Sequence, residues 1–349
     1  MKLLIALPFV ILATAPPPKP PPPPHPGAAP PLSVVRRSDE VLGAACTTVA
    51  EGRGDSTSTA LALAEAWDAM ARLEGVLRAE PGSELGRLNA SATSERFKCS
   101  PDLYAAIDSA LGAAEETGGL FDPTIEPLVR AWDLRGAGRV PAADEVAAAR
   151  RQVGWRAVAR DPGGRVVRFT RPGMGLDLDD IARGYALERA AAALRARGIA
   201  RALLNLDDQT LALSNREPWQ VTIAFPGDRP APALRLALTN AALSTCTALG
   251  PGGTIAALRH ARVLDPRSGT TVRSDASVSV VARSATRANA LSVALLVMGR
   301  ERAAAFVAGH PGLGALWLEP TAEGVNAWAW NLPAAAAEPG VNVVWMTPR

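Results

Sequence analysis

The chain has 349 residues, 48% hydrophobic and 20% charged, which suits one large folded domain or two smaller ones. Its formal charge of +3 is too slight a bias to argue for a nucleic-acid partner. Lys2, Lys19 and Lys98 are the only lysines, so the basic residues are nearly all arginine, a skew that reads as coding bias rather than function.

The N-terminus reads as an export signal. Lys2 precedes an apolar run over residues 3–13, too short to span a bilayer, and Ala13-Thr14-Ala15 has the small-residue pattern of a cleavage site. Pro16 fits poorly just beyond that bond. The expected organisation is a signal peptide over 1–15, a proline-rich spacer over 16–31 and one domain over 32–349, exported to the periplasm or beyond. No membrane span is expected in the mature chain. Cys46, Cys99 and Cys246 lack metal-like spacing; one bridge plus a free thiol stays open, and buried free thiols are preferred.

Residues 41–50 have strand character, and 57–77 read as one amphipathic helix with Leu63, Trp67, Met70, Leu73 and Leu77 on a single face. Residues 78–89 turn and begin a short helix. Ser100 and Pro101 open a helix that buries Leu103, Ile107 and Leu111 and stops at Gly118-Gly119. Another helix is expected over 142–153, then a hairpin around Pro162-Gly163-Gly164.

Gly175 to Glu188 reads as a junction, Leu176 and Leu178 in a strand, then a helix to Gly198. Strands follow over 202–206, 219–225, 234–238, 262–264 and 277–282. Helices are expected over 286–298 and 300–308, and late strands over 315–318, 325–330 and 341–345. Clustered helices and antiparallel-looking strands argue for an α+β fold.

Five segments, in order, resemble the ApbE family of FAD:protein FMN transferases. They are Pro81-Gly82-Ser83-Glu84-Leu85-Gly86-Arg87-Leu88-Asn89, the stretch from Thr117 to Trp132 containing Phe121-Asp122-Pro123-Thr124, and Asp177 to Tyr185. Leu264-Asp265-Pro266-Arg267-Ser268-Gly269 and Ala288 to Leu295 complete the set. The resemblance implies a two-lobed α+β fold with mixed or antiparallel sheets and a flavin cleft between the lobes. It implies transfer of FMN from FAD to a Thr or Ser hydroxyl of an acceptor flavoprotein, with AMP released and Mg²⁺ assisting. Flavin contacts would come from Leu42, Leu120, Phe121, Asp122, Thr124, Asp177, Arg183 and Leu264, and metal contacts from Asp180 and Asn289. No residue is assigned the proton-transfer role.

The chain departs from the family where the chemistry lies. The family's metal-holding Asp and Thr, four apart on the late helix, are Asn289 and Val293 here, so the Mg²⁺ site is expected to be weakened or lost. Two glycine pairs have become Asp179-Asp180 and Asp207-Asp208, and the lysine between them Arg183. A carboxylate about 4 Å from a phosphate, at surface-like dielectric, costs on the order of 4 kcal/mol. Thr245-Cys246-Thr247-Ala248 replaces Thr-Ser-Gly-Asp, and Arg262 replaces a histidine suited to proton handling.

Two other readings are weighed: a flavin- or partner-binding relative without turnover, and a cation-binding protein built on the two acidic doublets. Blander readings stand beside them. Phe121 to Thr124 alone is a capped turn, the doublets are caps or turn residues, and Asn289 alone is a solvated helix residue. His25, His260 and His310 have no zinc spacing, and Trp317, Trp328, Trp330 and Trp345 are sheet-packing residues.

Overall fold

Alternating burial along residues 44–50 marks one face of a central sheet. β1 (Leu32–Val41) and β2 (Ala44–Arg53) pair as an antiparallel hairpin across Leu42-Gly43. Both turn residues have positive φ, +54° and +67°, as a tight two-residue hairpin requires. The strand expected over 41–50 therefore straddles a turn. A leucine in the left-handed region gives no advance warning of one.

The computed structural model describes residues 32–224, 233–248, 263–322, 324–332, 336–337 and 343–345. The expected signal peptide, the spacer and Arg262 lie outside the described residues. No helix among the described residues is long and apolar enough to cross a membrane.

The helix expected over 57–77 is two: α1 (Ser56–Ala71) and α2 (Glu74–Leu77), with all five apolar positions of the expected face buried. α3 (Glu84–Ser91), the short β3 (Phe97–Lys98) and α4 (Pro101–Glu116) follow. Asp55, Ser83 and Ser100 cap α1, α3 and α4, each side-chain oxygen accepting an N–H three residues on. α4 stops at Gly118 and Gly119, φ +62° and +85°. Next come α5 (Glu126–Ala131), α6 (Ala143–Arg150), β4 (Val158–Asp161) and β5 (Val166–Phe169), the last two forming the expected hairpin.

Leu176 and Leu178 are buried but belong to no strand. The chain there runs irregularly into α7 (Asp179–Ala196), which ends at Gly198, φ +75°. β6 (Arg201–Leu206), β7 (Gln209–Leu213), β8 (Trp219–Ala224), β9 (Ala233–Leu238) and β10 (Ala241–Thr247) follow, β7 and β10 unforeseen. After β11 (Leu264–Asp265), β12 (Thr270–Thr271) and β13 (Ser277–Ala282) come α8 (Ala285–Met298) and α9 (Arg300–Ala308). β14 (Gly314–Pro320), β15 (Val325–Trp330), β16 (Ala336–Ala337) and β17 (Val343–Trp345) complete the described elements.

Among the described residues the main sheet has nine strands in the order β1-β2-β6-β7-β10-β13-β14-β15-β17, antiparallel except where β15 meets β17. The architecture is α+β. α1, α7 and α8 pack in succession over one face, α8 directly on β10 and β13. Every α8 residue except Arg287 is buried, as an all-round apolar helix demands. The other face meets β8 and β9, whose Val221, Ile223, Leu234, Leu236 and Leu238 share a second core with Leu243, Leu316 and Leu318. Trp317, Trp328 and Trp330 are buried sheet residues, whereas Trp345, read as packed, is exposed on the short edge strand β17. The three cysteines are buried free thiols.

Candidate functional site

Residues 117–124 are tied down from within. The Thr117 hydroxyl accepts the Phe121 N–H, and one Asp122 carboxylate oxygen accepts the N–H and hydroxyl of Thr124 at 2.9 and 2.6 Å. The other Asp122 oxygen takes the Trp155 N–H at 3.1 Å, and the Gly154 N–H donates to Thr124 Oγ1 at 2.7 Å. Burial pushes the Asp122 carboxyl up, and these bonds pull against it. The Asp177 N–H donates to the Pro123 carbonyl at 2.8 Å. Asn89 brackets Leu176, receiving its N–H and donating to its carbonyl, both at 2.8 Å. A side-chain amide thus replaces the missing strand partner.

This fastening delivers Asp177 to the start of α7, where it accepts the Asp179 N–H at 2.9 Å. Arg135 gathers the acids around it: Glu126 at 2.7 Å, a short pair with Asp177, and Asp179 at 3.9 Å. Desolvation pushes Asp177 up to about 6 despite Arg135. Asp179 is more than half exposed, and it is pushed up to about 7 first by the like charge of Asp177 and then by desolvation. Arg135, Arg78 and Arg183 all pull Asp179 the other way. Arg78 also donates to the Leu42 carbonyl at 3.5 Å, which joins the β1–β2 turn to this corner.

One helical turn further along α7, Arg183 Nη1 lies 3.5 Å from Asp207 and 3.6 Å from Asp208. Those acids form the β6–β7 turn, with Asp207 at φ +54°. Gly184 is where α7 and α8 cross: a Cβ there would lie 2.3 Å from the Ala285 carbonyl oxygen. Asn289, buried rather than solvated, spans the crossing. Its Oδ1 accepts the Gly184 N–H at 3.2 Å. In an α-helix that N–H points at the carbonyl four residues earlier, which is Asp180's.

The Asp180 backbone and Asn289 therefore lie on either side of the Gly184 N–H, but their chemistry does not suit a divalent cation. The Asn289 oxygen is neutral and bonded to Gly184, and Val293 offers no donor. Among the described residues no three His, Cys, Asp or Glu side chains could hold a metal ion. Of the acidic doublets, Asp179 leans on Arg135, and Asp207 and Asp208 lean on Arg183.

The structure thus brings Asp177, Asp180, Arg183 and Asn289 around the start of α7. Leu42 and Phe121 belong to the main core, with Leu120 packed against it. Asp122 and Thr124 spend their polar atoms on neighbouring loops, so they shape the site through backbone. Leu264 lies in a separate cluster with Leu128, Val129 and Trp132, tied by the Trp132 indole N–H to the Gly269 carbonyl at 2.9 Å. Sequence reasoning missed Arg78 and Arg135 as the countercharges; an arginine outside any repeating pattern carries no local sign of its partner. An open hollow of about 210 Å³ lined by Glu51, Arg53, Arg197, Arg201 and Arg216 lies at the far end of β2 and β6, away from this chemistry.

A profile of the ApbE family matches residues 42–317. A Treponema pallidum protein named FAD:protein FMN transferase is 30% identical over 304 residues, 81% of this chain and 84% of that protein. A Salmonella typhimurium protein of the same name is 27% identical over 259 residues, 70% of this chain and 73% of that one. The fold is similar to the apo form of the Pseudomonas stutzeri flavinyl transferase ApbE, with TM-score 0.75 and 24% identity over 86% of this chain and 95% of that one. The Vibrio cholerae flavin transferase ApbE is similar too, with TM-score 0.74 and 23% identity over 86% and 98%.

Proposed function

The chain belongs to the ApbE family, and we propose that it is an FAD:protein FMN transferase acting in an exported compartment. The acceptor's Thr or Ser hydroxyl oxygen bonds to the FMN-side phosphorus of FAD, the bond from that phosphorus to the AMP oxygen breaks, and the hydroxyl gives up its proton. Products are flavinylated protein and AMP. Leu42, Leu120 and Phe121 supply apolar surface for the flavin, Asp122 and Thr124 hold the loop beneath it, and Asp177 and Arg183 face the nucleotide. One observation carries the reading: segments around Asn89, Asp122, Asp177 and Asn289, remote in sequence, are joined by direct hydrogen bonds at the start of one helix. Export rests on the expected signal over residues 1–15.

A second reading has its own observation. With Asn289 bonded to Gly184 and Val293 beside it, the protein would hold flavin without turning it over. Incubating the purified chain with FAD and an acceptor domain, with and without Mg²⁺, separates the two. AMP release supports the transferase; retained yellow flavin without AMP supports the second reading; neither result leaves both without basis.

A further inference from the structure

Two features at the start of α7 would attract phosphate: the positive end of an 18-residue helix and the guanidinium of Arg183. The protein's own carboxylates already meet both. Asp177 accepts the Asp179 N–H in the first turn, and Asp179 and Asp180 occupy that turn. Arg183 is met by Asp207 and Asp208.

The β6–β7 turn that carries this second pair is firmly held. The Asp207 N–H donates to the Ala45 carbonyl of β2 at 2.9 Å, and the Asp208 carbonyl receives the Thr245 N–H of β10 at 3.0 Å. Gln209 Nε2 holds the Asp208 carboxylate at 2.9 Å. The acids cannot swing aside with a loose loop, because neighbouring strands clamp the turn on both sides. Asp207 adopts a left-handed φ that aspartate tolerates in a tight turn, and its half-exposed side chain reaches toward Arg183 rather than into a core.

We propose that Asp207 and Asp208 are specificity determinants of the flavin site, standing toward Arg183 where a ligand's phosphates would stand and so weakening the hold on the pyrophosphate of a dinucleotide. The isoalloxazine and ribityl portions do not meet this charge. The site then draws its flavin affinity chiefly from the apolar side, and the turn sets how strongly phosphate-bearing flavins outcompete a phosphate-free one. This rests on the flavin reading above.

The test is a fluorescence titration of FAD and of riboflavin on the full chain, on Asp207→Asn/Asp208→Asn, and on that pair combined with Arg183→Gln. The expected result is FAD binding tightened about tenfold or more by the double substitution, reversed by adding Arg183→Gln, with riboflavin affinity changed by less than about twofold. Unchanged or weaker FAD binding in the double variant overturns the proposal while leaving the flavin reading intact. Parallel shifts for FAD and riboflavin also overturn it, since they would report a structural change. If none of the three proteins binds either flavin, the flavin reading itself falls and takes this inference with it.

Discussion

Two corners of the same site are held in different ways. Around Asp122, Asn89 and Asp177, short bonds from buried or half-buried groups, side-chain and backbone, tie distant segments together. Around Arg183, partly exposed charges face one another at 3.5 and 3.6 Å with no hydrogen bond between them. Buried polar groups cannot lose their partners cheaply, whereas exposed ion pairs contribute little to stability. The first corner is scaffold, and the second is free to tune what binds.

The sharpest way to break that contrast is Gly184→Val. Its Cβ would press on the Ala285 backbone and part α7 from α8, for a loss of about 4 kcal/mol and a Tm drop of roughly 10 °C in thermal unfolding. Asn89→Ala leaves the Leu176 amide and carbonyl without their partner and should cost about 3 kcal/mol in urea unfolding.

Arg135→Leu strips Glu126 and Asp177 of their countercharge. We expect a loss of about 3 kcal/mol at pH 8 and clearly less at pH 5, where protonation relieves the acids; a pH-independent loss would point to packing alone.

Asp179→Asn runs the other way. Asp177 and Asp179 bind protons more tightly folded than unfolded, so wild-type stability should fall as pH rises from about 4 through the raised values near 6 and 7. The substitution removes the like charge and, discounted for exposure, should add about 1 kcal/mol at pH 8 and nothing near pH 4. Smallest of all, Arg183→Gln should leave stability within about 0.5 kcal/mol, read by the same melts. A large loss there would erase the distinction between the corners.

How much was legible in the sequence follows the same divide. Helix caps at Ser100 and glycine stops at Gly118 and Gly198 act locally, so they could be read directly. The apolar periodicity of β13, β15 and α8 was equally plain. Leu42 at positive φ, the break at Arg72, and strands β7 and β10 were not legible, because tertiary pairing decides them. In the site, the convergence of Asp177, Asp180, Arg183 and Asn289 was anticipated through resemblance. The sorting of acids among Arg78, Arg135 and Arg183 was not, since charge partners separated by tens of residues leave no pattern in the chain. Nor did the sequence disclose that Asn289 joins two helices, a role that depends on how closely Gly184 lets them approach.

The central claim meets its most direct test in the intact mass of an acceptor domain incubated with the purified chain and FAD. The account predicts that the acceptor gains FMN less one water on a single Thr or Ser, with AMP appearing in equal amount. An acceptor of unchanged mass, with FAD recovered whole across a range of metal concentrations, would contradict it.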